Sequence, residues 1–486
     1  MSIDFELIDR CRCCGSDRLD EVLNLGDQPP ANSLRLPDEP RPGKAPLVLV
    51  RCNSCATVQL TATVDPAELF SDYVWVTGTA STTRAFSEVF CGEVLRHVET
   101  SGSGRPDGQG LVVEVASNDG TFLERFREKG WQVLGVDPAR NIVERAVAAG
   151  IPTRCEFFGA ETAATISRDF GPVDVVIARN VVPHVAEIHE VLAGAVKLLH
   201  GSGLAVIEFH HAGSILKGLQ YDSIYHEHLF YFSSETLGNL CASHGLHAFD
   251  VFESPLSGGA LVLVFAKEER TPSPQLKGCV RSESESKVNS QETWEEFGKA
   301  VRVHSETLSH MVAERAERGI VVGYGASARS ATLLNAAGIS GQQVQAIIEP
   351  RLTMLMEIAN GFLTTIIDGL EETPYGIRWI CKQIRSLTKR KYPDANDQVI
   401  CTLIGGFFFL RFINPAIVTP KSYMLIDGTP AEKPRRTLTL IAKMLQNLAN
   451  KPSYAKEPYM AKLQPFIQQN KERVNKFMLD LCEVQD

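Results

Sequence analysis

The feature that most constrains the fold is an alternation of apolar runs and amphipathic helices between residues 111 and 210. The runs LVVEVA, WQVLGVD, VDVVIA and GLAVIEF have the length and composition of buried strands, and helical patterns separate them. Strands that alternate with helices predict a parallel sheet with helices on both of its faces. We therefore expect a doubly wound α/β domain in this part of the chain.

A turn after the first of these runs carries a ligand-binding signal. Doubly wound sheets bind ligands outside the carboxyl ends of their strands, where this turn lies. Asp119 is in the turn, and Asp137 ends the second run 18 residues later, which is the spacing that one β–α–β step requires. An NAD-binding unit would need G-x-G-x-x-G, whereas this turn has one glycine, so we favour S-adenosylmethionine (SAM). The candidate cofactor-binding residues are Glu114, Ser117, Asn118, Asp119, Gly120, Asp137 and Asn180, of which Asn180 could also be a plain turn residue.

Two C-x-x-C pairs near the N-terminus predict a structural zinc site. Cys11 and Cys14 form the first pair, Cys52 and Cys55 form the second, and 37 residues lie between Cys14 and Cys52. Four thiolates suit tetrahedral zinc, and a small module with little apolar content needs a metal to fold. Cys13 is a competing ligand, and four buried or redox-active thiols are the alternative interpretation.

A group of ionisable and hydroxyl-bearing side chains follows the strand-like run GLAVIEF. The segment from Tyr225 to His228 reads Tyr-His-Glu-His and lies just beyond the expected sheet edge. Such a cluster suggests an acid–base centre, although a solvated loop or a metal site would look alike.

Bulk properties limit the remaining possibilities. A chain of 486 residues is too long for a single core. The N-terminus has no basic flank followed by an apolar stretch, so we expect no secretory signal and a cytoplasmic protein. The chain has no uninterrupted apolar run of about 18 residues, so we expect no membrane span. The net charge of −9 divides into −14 for residues 1–340 (30 basic, 44 acidic) and +5 for residues 341–486 (19 basic, 14 acidic). Neither part is basic enough to suggest nucleic-acid binding.

The pattern changes after about residue 340. A strand–glycine turn–helix pattern, GIVVGYGASARSATLLN, opens a second α/β unit whose further strands do not follow, and the chain then becomes almost wholly helical. We predict an α/β plus all-α protein with five segments: a zinc-binding module (1–70), a SAM-dependent methyltransferase domain (71–267), a linker (268–292), the truncated start of a C-terminal α/β domain (293–340) and a helical segment (341–486).

The first 340 residues resemble the zinc-containing nucleotide-sugar C-methyltransferases. The motifs that carry the resemblance are Cys11/Cys14, LGDQPPANSL (25–34), Cys52/Cys55, EVASNDGTFL (114–123), NVVPHV (180–185), YDSIYHEHLFYFS (221–233) and GYGASARSATLLN (323–335). The resemblance implies methylation of a carbon next to the ketone of a nucleotide-linked 4-keto-6-deoxysugar.

The same resemblance implies roles for the residues of the polar cluster. His228 would remove the α proton to give an enolate that attacks the SAM methyl group, an ordinary imidazole pKa suiting this step. Tyr225 and Glu227 would lie near the ketone and hydroxyls, and His184 would be a further sugar-side group. Tyr73 and Trp75 would close over the sugar or, equally, pack the zinc module on the catalytic domain.

Residues 341–486 resemble the second half of a Ras GTPase-activating domain, closest to the IQGAP subgroup. The motifs are TPYGIRWICKQI (373–384), KYPDAND (391–397), GGFFFLRFINPAIVTP (405–420) and LIAKMLQNLAN (440–450). Arg411 would brace the loop that bears the arginine finger, which lies upstream in that family, or form an ordinary buried ion pair. We interpret the chain as a chimera, with a small-GTPase-binding module as the alternative function and apolar residues such as Phe407–Phe409 left exposed.

Overall fold

The structure is a computed structural model. The structure describes residues 3–33, 42–71, 73, 75–102, 110–323, 327–346, 348–428, 430, 432–449 and 463–484. Parts of three motifs lie outside the described residues: Leu34, Tyr324–Ala326 and Asn450.

The chain divides into two compact units. Unit 1 contains Met1–Val321 and Gly325–Gln345, and unit 2 contains Val322–Tyr324 and Ala346–Asp486. The division near residue 345 agrees with the change of sequence pattern expected at 341. Two short strands, β14 (Val321–Gly323) and β15 (Val344–Ala346), fall at these divisions.

The centre of unit 1 is a seven-stranded sheet that confirms the doubly wound α/β prediction. Five strands are parallel and lie in the order β10–β9–β6–β7–β8, and an antiparallel pair extends the sheet beyond β10 in the order β13–β12. The chain winds from β6 toward β8 and then crosses back to β9, so the strand order reverses between β6 and β9. Ligands of such sheets bind at this reversal. The strands are β6 (Leu111–Val115), β7 (Gln132–Val136), β8 (Thr153–Arg154), β9 (Val173–Arg179), β10 (Leu199–His210), β12 (His247–Ser254) and β13 (Ala260–Ala266).

Apolar side chains cover both faces of this sheet. Val113 and Val115 belong to the core cluster on one face, whereas Val112 belongs to the cluster on the other face, because successive side chains of a strand point in opposite directions. Burial of each large apolar side chain contributes roughly 1.5–3 kcal/mol. The helices that cover the sheet or connect its strands are α2 (Ser81–Ser101), α3 (Thr121–Glu128), α4 (Arg140–Ala148), α5 (Ala160–Phe170), α6 (Ile188–Leu198), α7 (Ala212–Lys217) and α8 (Ser234–Ala242).

The zinc-type module forms a second, antiparallel sheet. Its order is β11–β4–β3–β2, so β11 (Phe230–Tyr231), which follows the Tyr-His-Glu-His segment, is an edge strand of the N-terminal module. Phe230 pairs with Gln59, and Leu60 N–H donates to Leu229 O at 2.9 Å. The module's elements are β1 (Phe5–Leu7), β2 (Leu19–Gln28), β3 (Ala45–Cys52), β4 (Val58–Leu60), β5 (Ala62–Val64) and the following helix α1 (Pro66–Phe70).

The segment 268–292, predicted to be a linker, packs on unit 1 through part of its length, although most of its residues are exposed. It contains helix α9 (Pro274–Glu285), which Ser273 caps by accepting from Leu276 N–H. The helix packs because Leu276 and Glu283 are buried, and Glu283 accepts hydrogen bonds from His211 Nε2 and Ser234 N–H, both at 2.7 Å. A Ser- and Glu-rich composition therefore conceals a buried, hydrogen-bonded glutamate.

The last part of unit 1 is helical and ordered. Helix α10 spans Gln291–Arg318, and helix α11 (Ala328–Ala336) begins with a capping box between Ser327 and Ser330. Thr332 on α11 is 1% exposed. The truncated start of the second α/β domain thus contributes a docked helix to unit 1.

Unit 2 is helical, as predicted. Phe408 and Phe409 are 1% and 0% exposed, so the expectation that Phe407–Phe409 would be left exposed is wrong for these two rings. They are buried because the later helices supply a core. The helices are α12 (Ile348–Asp368), α13 (Tyr375–Lys391), α14 (Asp397–Phe407), α15 (Asn414–Val418), α16 (Glu432–Ala449) and α17 (Gln464–Asp480).

The FFFLRFINP segment (407–415) is helical throughout. A π-helical turn (Phe408–Ile413) joins α14 to α15, and Pro415 lies in the first turn of α15. Arg411 is exposed, so it is not a buried ion pair. Within the described residues, Asp397–Val418 is long and apolar enough to cross a bilayer by length and composition, a test that a core helix also satisfies.

Candidate active site and zinc centre

Four cysteine sulfurs converge in the N-terminal module. Cys11 Sγ lies 3.6 Å from Cys55 Sγ, Cys14 Sγ lies 3.5 Å from Cys52 Sγ, and all four lie within 4.8 Å of one another. A tetrahedron with Zn–S bonds of about 2.3 Å has S–S edges of about 3.8 Å, so these residues fit zinc. The competing candidate Cys13 lies outside this group.

Each pair occupies a tight turn that aims its sulfurs inward. Gly15 adopts φ +71° in the first turn and Ala56 adopts φ +61° in the second, and their amides donate to the carbonyls of Cys11 and Cys52. Gln59 Nε2 donates to Cys11 Sγ at 3.0 Å, a contact of the kind that orients and tunes metal ligands. The four cysteines therefore hold a structural zinc ion with a closed coordination shell.

The backbone around the candidate SAM turn is held in an unusual conformation. Ala116, Asn118 and Asn180 have φ values of +53°, +52° and +49°, and none of them is glycine. Left-handed backbone at non-glycine residues clusters at ligand sites because the surroundings must maintain it. Asn118 follows β6 and Asn180 follows β9, the two strands that flank the reversal of strand order.

Asp137 is preorganised by that turn. Its Oδ2 accepts from Asn118 N–H and its Oδ1 from Ala139 N–H, both at 2.9 Å. Burial raises the pKa of this carboxyl, and the two backbone donors oppose that shift. A carboxylate has about four acceptor positions, so both oxygens can still accept from a pair of ribose hydroxyls.

The segment around residues 75–78 covers the turn. Asn118 Oδ1 accepts from Thr77 N–H at 2.8 Å, and Asn118 Nδ2 donates to Trp75 O at 3.1 Å. Asp119 Oδ2 accepts from Gly78 N–H at 2.9 Å, and a Cβ at Gly78 would lie 2.6 Å from that oxygen, so only glycine fits. Asp119 therefore holds residues 75–78 over the turn through this hydrogen bond.

Ser117 and Glu114 point away from the turn surface into the sheet. Ser117 is 1% exposed and packs over Gly135, where a Cβ would lie 2.3 Å from Ser117 Oγ. Glu114 forms an ion pair with Arg179 at 2.8 Å, and Arg179 also lies 3.3 Å from Glu208. We call Glu114, Arg179 and Glu208 the buried triad. Both carboxylates are fully buried, and burial raises the pKa of Glu114 to about 7.

The Tyr-His-Glu-His segment brings His228 and its neighbours together. His228 Nδ1 lies 2.7 Å from Ser223 O, which fixes Nδ1 as the proton donor and leaves Nε2 as an acceptor. The His228 ring centroid lies 4.1 Å from that of Tyr225 and 4.7 Å from that of His184. The structure therefore groups three of the predicted catalytic residues.

The electrostatics of this group differ from the expected ordinary imidazole. Burial, with His184 and His210 nearby, lowers the pKa of His228 well below its usual value. Burial alone lowers the pKa of His184 to about 4. Both rings are neutral at pH 7, so His228 Nε2 has its lone pair available, at the cost of a lower basicity.

Glu227, the fourth predicted residue, is bound by two side chains from earlier in the chain. Asn32 Nδ2 donates to Glu227 Oε1 at 2.6 Å, and Tyr73 OH donates to Glu227 Oε2 at 3.3 Å. Burial raises the pKa of Glu227 to about 6 despite these two donors. Tyr73 therefore belongs to the site, whereas Trp75 is 55% exposed.

Two groups that support the site were not predicted from the sequence. Asn32 lies within a quoted motif but received no role, and its sequence separation from Glu227 gave no signal for the contact. The ion pair between Asp222 and Arg329 was also missed, although both residues stand in recognised motifs. Only the fold brings these partners together.

Comparisons with known proteins agree with this geometry. Residues 11–70 match a zinc binding domain family, residues 88–250 match a methyltransferase domain family, and residues 275–450 match the GTPase-activator protein family for Ras-like GTPases. Unit 1 is therefore a zinc-containing, SAM-dependent methyltransferase with an α/β fold.

The chain belongs to the family of C-methyltransferases that includes NovU of Streptomyces niveus. It is 32% identical to that protein over 349 residues, which cover 70% of this chain and 80% of the relative. Magnesium protoporphyrin IX methyltransferase from Synechocystis PCC 6803 aligns with 42% of this chain and 92% of its own, at 11% identity and a TM-score of 0.30. So low a TM-score adds nothing to the assignment.

The helical segment has separate relatives. The Ras GTPase-activating-like protein gapA of Dictyostelium discoideum is 38% identical over 148 residues, or 30% of this chain and 17% of that protein. Human Ras GTPase-activating protein 1 is 36% identical over 138 residues, or 28% of this chain and 13% of that protein. The chain thus spans under a fifth of these relatives. The family match to residues 275–450 begins within unit 1. The alignments with these two relatives are shorter, and their lengths are closer to that of unit 2.

We expect Asp137→Asn to weaken SAM binding about ten-fold or more. The variant keeps the side chain's shape but loses the charge that strengthens the ribose hydrogen bonds, and hydrogen bonds to charged groups contribute roughly 1.5–3 kcal/mol. Calorimetric titration with SAM measures the effect, with zinc content and thermal midpoint as controls of folding. An unchanged dissociation constant would show that Asp137 does not bind the cofactor.

Proposed function

We propose that this chain methylates a carbon next to the ketone of a nucleotide-linked 4-keto-deoxysugar. The observation that carries the proposal is the segment 73–78, which touches both halves of the site. Tyr73 OH contacts Glu227 in the acid–base group, while Thr77 and Gly78 donate to Asn118 and Asp119 in the SAM turn. One short segment therefore contacts both the turn that we propose binds the methyl donor and the group that we propose accepts the proton.

In the proposed reaction, His228 Nε2 takes the proton from the carbon next to the ketone. The hydrogen bond from Nδ1 to Ser223 O stabilises the imidazolium that forms. Tyr225 and Glu227 bind the ketone and hydroxyl groups of the sugar, and His184, neutral at pH 7, contributes a further polar contact on the sugar side. SAM supplies the methyl group that the resulting carbanion attacks.

Burial of these groups serves the same chemistry. A carbanionic intermediate in contact with bulk water would be reprotonated, and closed sites prevent such side reactions. Tyr73 and His184 both lie near Phe70, with ring centroids 6.0 Å away. The zinc module contributes Asn32 and the edge partner of β11, so it forms one wall of the substrate site.

Methyl transfer from labelled SAM to a panel of 4-keto-deoxysugar nucleotides tests the proposal. Incorporation that requires the ketone supports it, and the absence of transfer to every 4-keto sugar nucleotide contradicts the substrate class.

Binding of a small GTPase by unit 2 is a second candidate function, which the family match at residues 275–450 favours. Pulldown of a GTP-loaded Ras-type GTPase by this chain tests that candidate, and failure to retain the GTPase contradicts it; GTP hydrolysis with and without the chain tests activation separately. We expect unchanged hydrolysis, because activation depends on an arginine finger worth 10³–10⁵-fold and the resemblance assigns Arg411 only a bracing role.

We expect kcat/KM to fall as the pH drops through about 6, because Glu227 rather than His228 becomes protonated there. The pKa of Glu227 is raised to about 6, so its carboxylate is lost below that pH, whereas the lowered pKa of His228 keeps the imidazole neutral there. Initial rates between pH 5 and pH 8, at each pH corrected for stability, measure the profile. Glu227→Gln should remove the inflection, and a profile that it leaves unchanged would contradict the assignment.

A further inference from the structure

The turn that orients His228 is held by a helix from far along the chain. Ser223, whose carbonyl oxygen accepts from His228 Nδ1, belongs to a single 3₁₀ turn formed by Tyr221–Ser223. So short a turn has little internal stability, because one turn fixes several dihedral angles for very few hydrogen bonds. Its position must therefore come from tertiary contacts.

Helix α11 supplies two of these contacts. Arg329 Nε donates to Asp222 Oδ2 and Arg329 Nη2 donates to Asp222 Oδ1, both at 2.9 Å. Thr332, one helical turn later on the same face, donates from Oγ1 to Ile224 O at 2.9 Å. The two contacts flank Ser223 in sequence, so α11 holds the turn on both sides of the carbonyl that orients His228.

Helix α10 supplies a third contact. Tyr221 OH and His304 Nδ1 lie 3.0 Å apart, and the Tyr221 side chain is buried. Contacts from α10 and α11 thus hold Tyr221, Asp222 and Ile224 around Ser223. Arg329 makes the only bidentate ionic contact among them, which fixes direction as well as distance.

We propose that Arg329 is a positioning residue of the methyltransferase site: its paired hydrogen bonds to Asp222 fix the turn whose Ser223 carbonyl orients the His228 imidazole. The inference rests on the proposed function, because it assumes that His228 is the base. A planar guanidinium can make both parallel bonds, whereas a lysine ammonium can only act as a point charge. Helix α11 is consequently a working part of the active site, and the change of sequence pattern near residue 341 leaves it intact.

Kinetics of Arg329→Gln, Arg329→Lys and Asp222→Asn test the role. We expect kcat to fall about ten- to a hundred-fold in Arg329→Gln, since a misplacement of about 1 Å can cost 10²-fold. Arg329→Lys should recover only part of that loss. The double variant Arg329→Gln/Asp222→Asn should be no slower than Arg329→Gln alone, because both changes remove the same contact.

A matched control and two further measurements separate positioning from folding. Arg318→Gln removes an exposed pair with Glu314 on α10 and should leave kcat unchanged. The affinity for SAM, the zinc content and the thermal midpoint should also stay unchanged in Arg329→Gln. An unchanged kcat in Arg329→Gln overturns the proposal. An effect on the KM of the sugar nucleotide alone also overturns it, since Arg329 would then bind substrate directly.

A spectroscopic measurement keeps this inference separate from the identity of the base. In protein labelled with ¹⁵N-histidine, the Nδ1 proton of His228 should give a protected resonance that is absent from His228→Ala. Arg329→Gln should shift this resonance or broaden it by exchange with water. If the resonance is unaffected, the positioning role fails even where His228 is the base. If His228→Ala retains turnover while the resonance responds, the proposed base fails instead.

Discussion

Replacing His228 with alanine is expected to reduce methyl transfer by about 10²–10⁴-fold while the affinity for SAM stays the same. General base catalysis contributes a factor of this size, and it acts in the transition state rather than in cofactor binding. The geometry supports the assignment, because Nδ1 is committed to Ser223 O and Nε2 is left as the acceptor. Single-turnover transfer of a labelled methyl group, with calorimetry for SAM, measures both quantities.

His310→Ala provides the control for this experiment. His310 is exposed on helix α10, outside the site, so its removal should not change the rate. Near-parental turnover in His228→Ala would show that another group removes the proton. His184 and Glu227 would then be the next candidates, and the pH profile would distinguish them, because their pKa values lie at about 4 and about 6.

Replacing Cys52 with serine is expected to release zinc and unfold the N-terminal module. Structural zinc contributes roughly 10–16 kcal/mol in small zinc-dependent folds, which exceeds the stability of most domains. The change should also abolish methyl transfer, because β4 pairs with β11 and Asn32 binds Glu227. SAM affinity should fall far less, since the module contributes none of the hydrogen bonds described for Asp137 and Asn118.

Cys13→Ser is the matched control, because Cys13 lies in the same turn but outside the group of four sulfurs. It should retain one equivalent of zinc per chain and the parental rate. Metal analysis of protein purified without chelator, together with circular dichroism, reports on both variants. Full activity in a zinc-free Cys52→Ser protein would contradict the coupling of the module to the active site.

Local patterns in the sequence predicted the features that depend on local chemistry. The two cysteine pairs, the turn at 117–120 and the acid at Asp137 each follow from spacing or from strand position, and the structure places them accordingly. The Tyr-His-Glu-His segment was also found, because four reactive side chains in a row at a strand end are an unusual pattern. The doubly wound sheet followed from the regular alternation of strands and helices.

Features that depend on distant contacts were not predictable. The binding of Glu227 by Asn32 joins residues 195 positions apart, and neither residue type signals the other. The helix at Pro274–Glu285 looked like a linker because its stabilising feature is one buried glutamate, Glu283, among many exposed ones. The lowered pKa of His228 likewise reflects burial, which composition does not reveal.

The buried triad has a consequence for how this enzyme can vary through evolution. Arg179 lies between Glu114 and Glu208, the ring of Phe122 lies 3.2 Å below the guanidinium, and Ser254 Oγ donates to Glu208 at 2.5 Å. Loss of Arg179 alone would leave two uncompensated carboxylates in the sheet interior, a change that costs several kcal/mol. A neutral replacement would be tolerated only if all three positions changed together. We therefore expect positions 114, 179 and 208 to covary among relatives. Substitution at one of the three positions should be rare, whereas simultaneous replacement of all three by apolar residues should be tolerated.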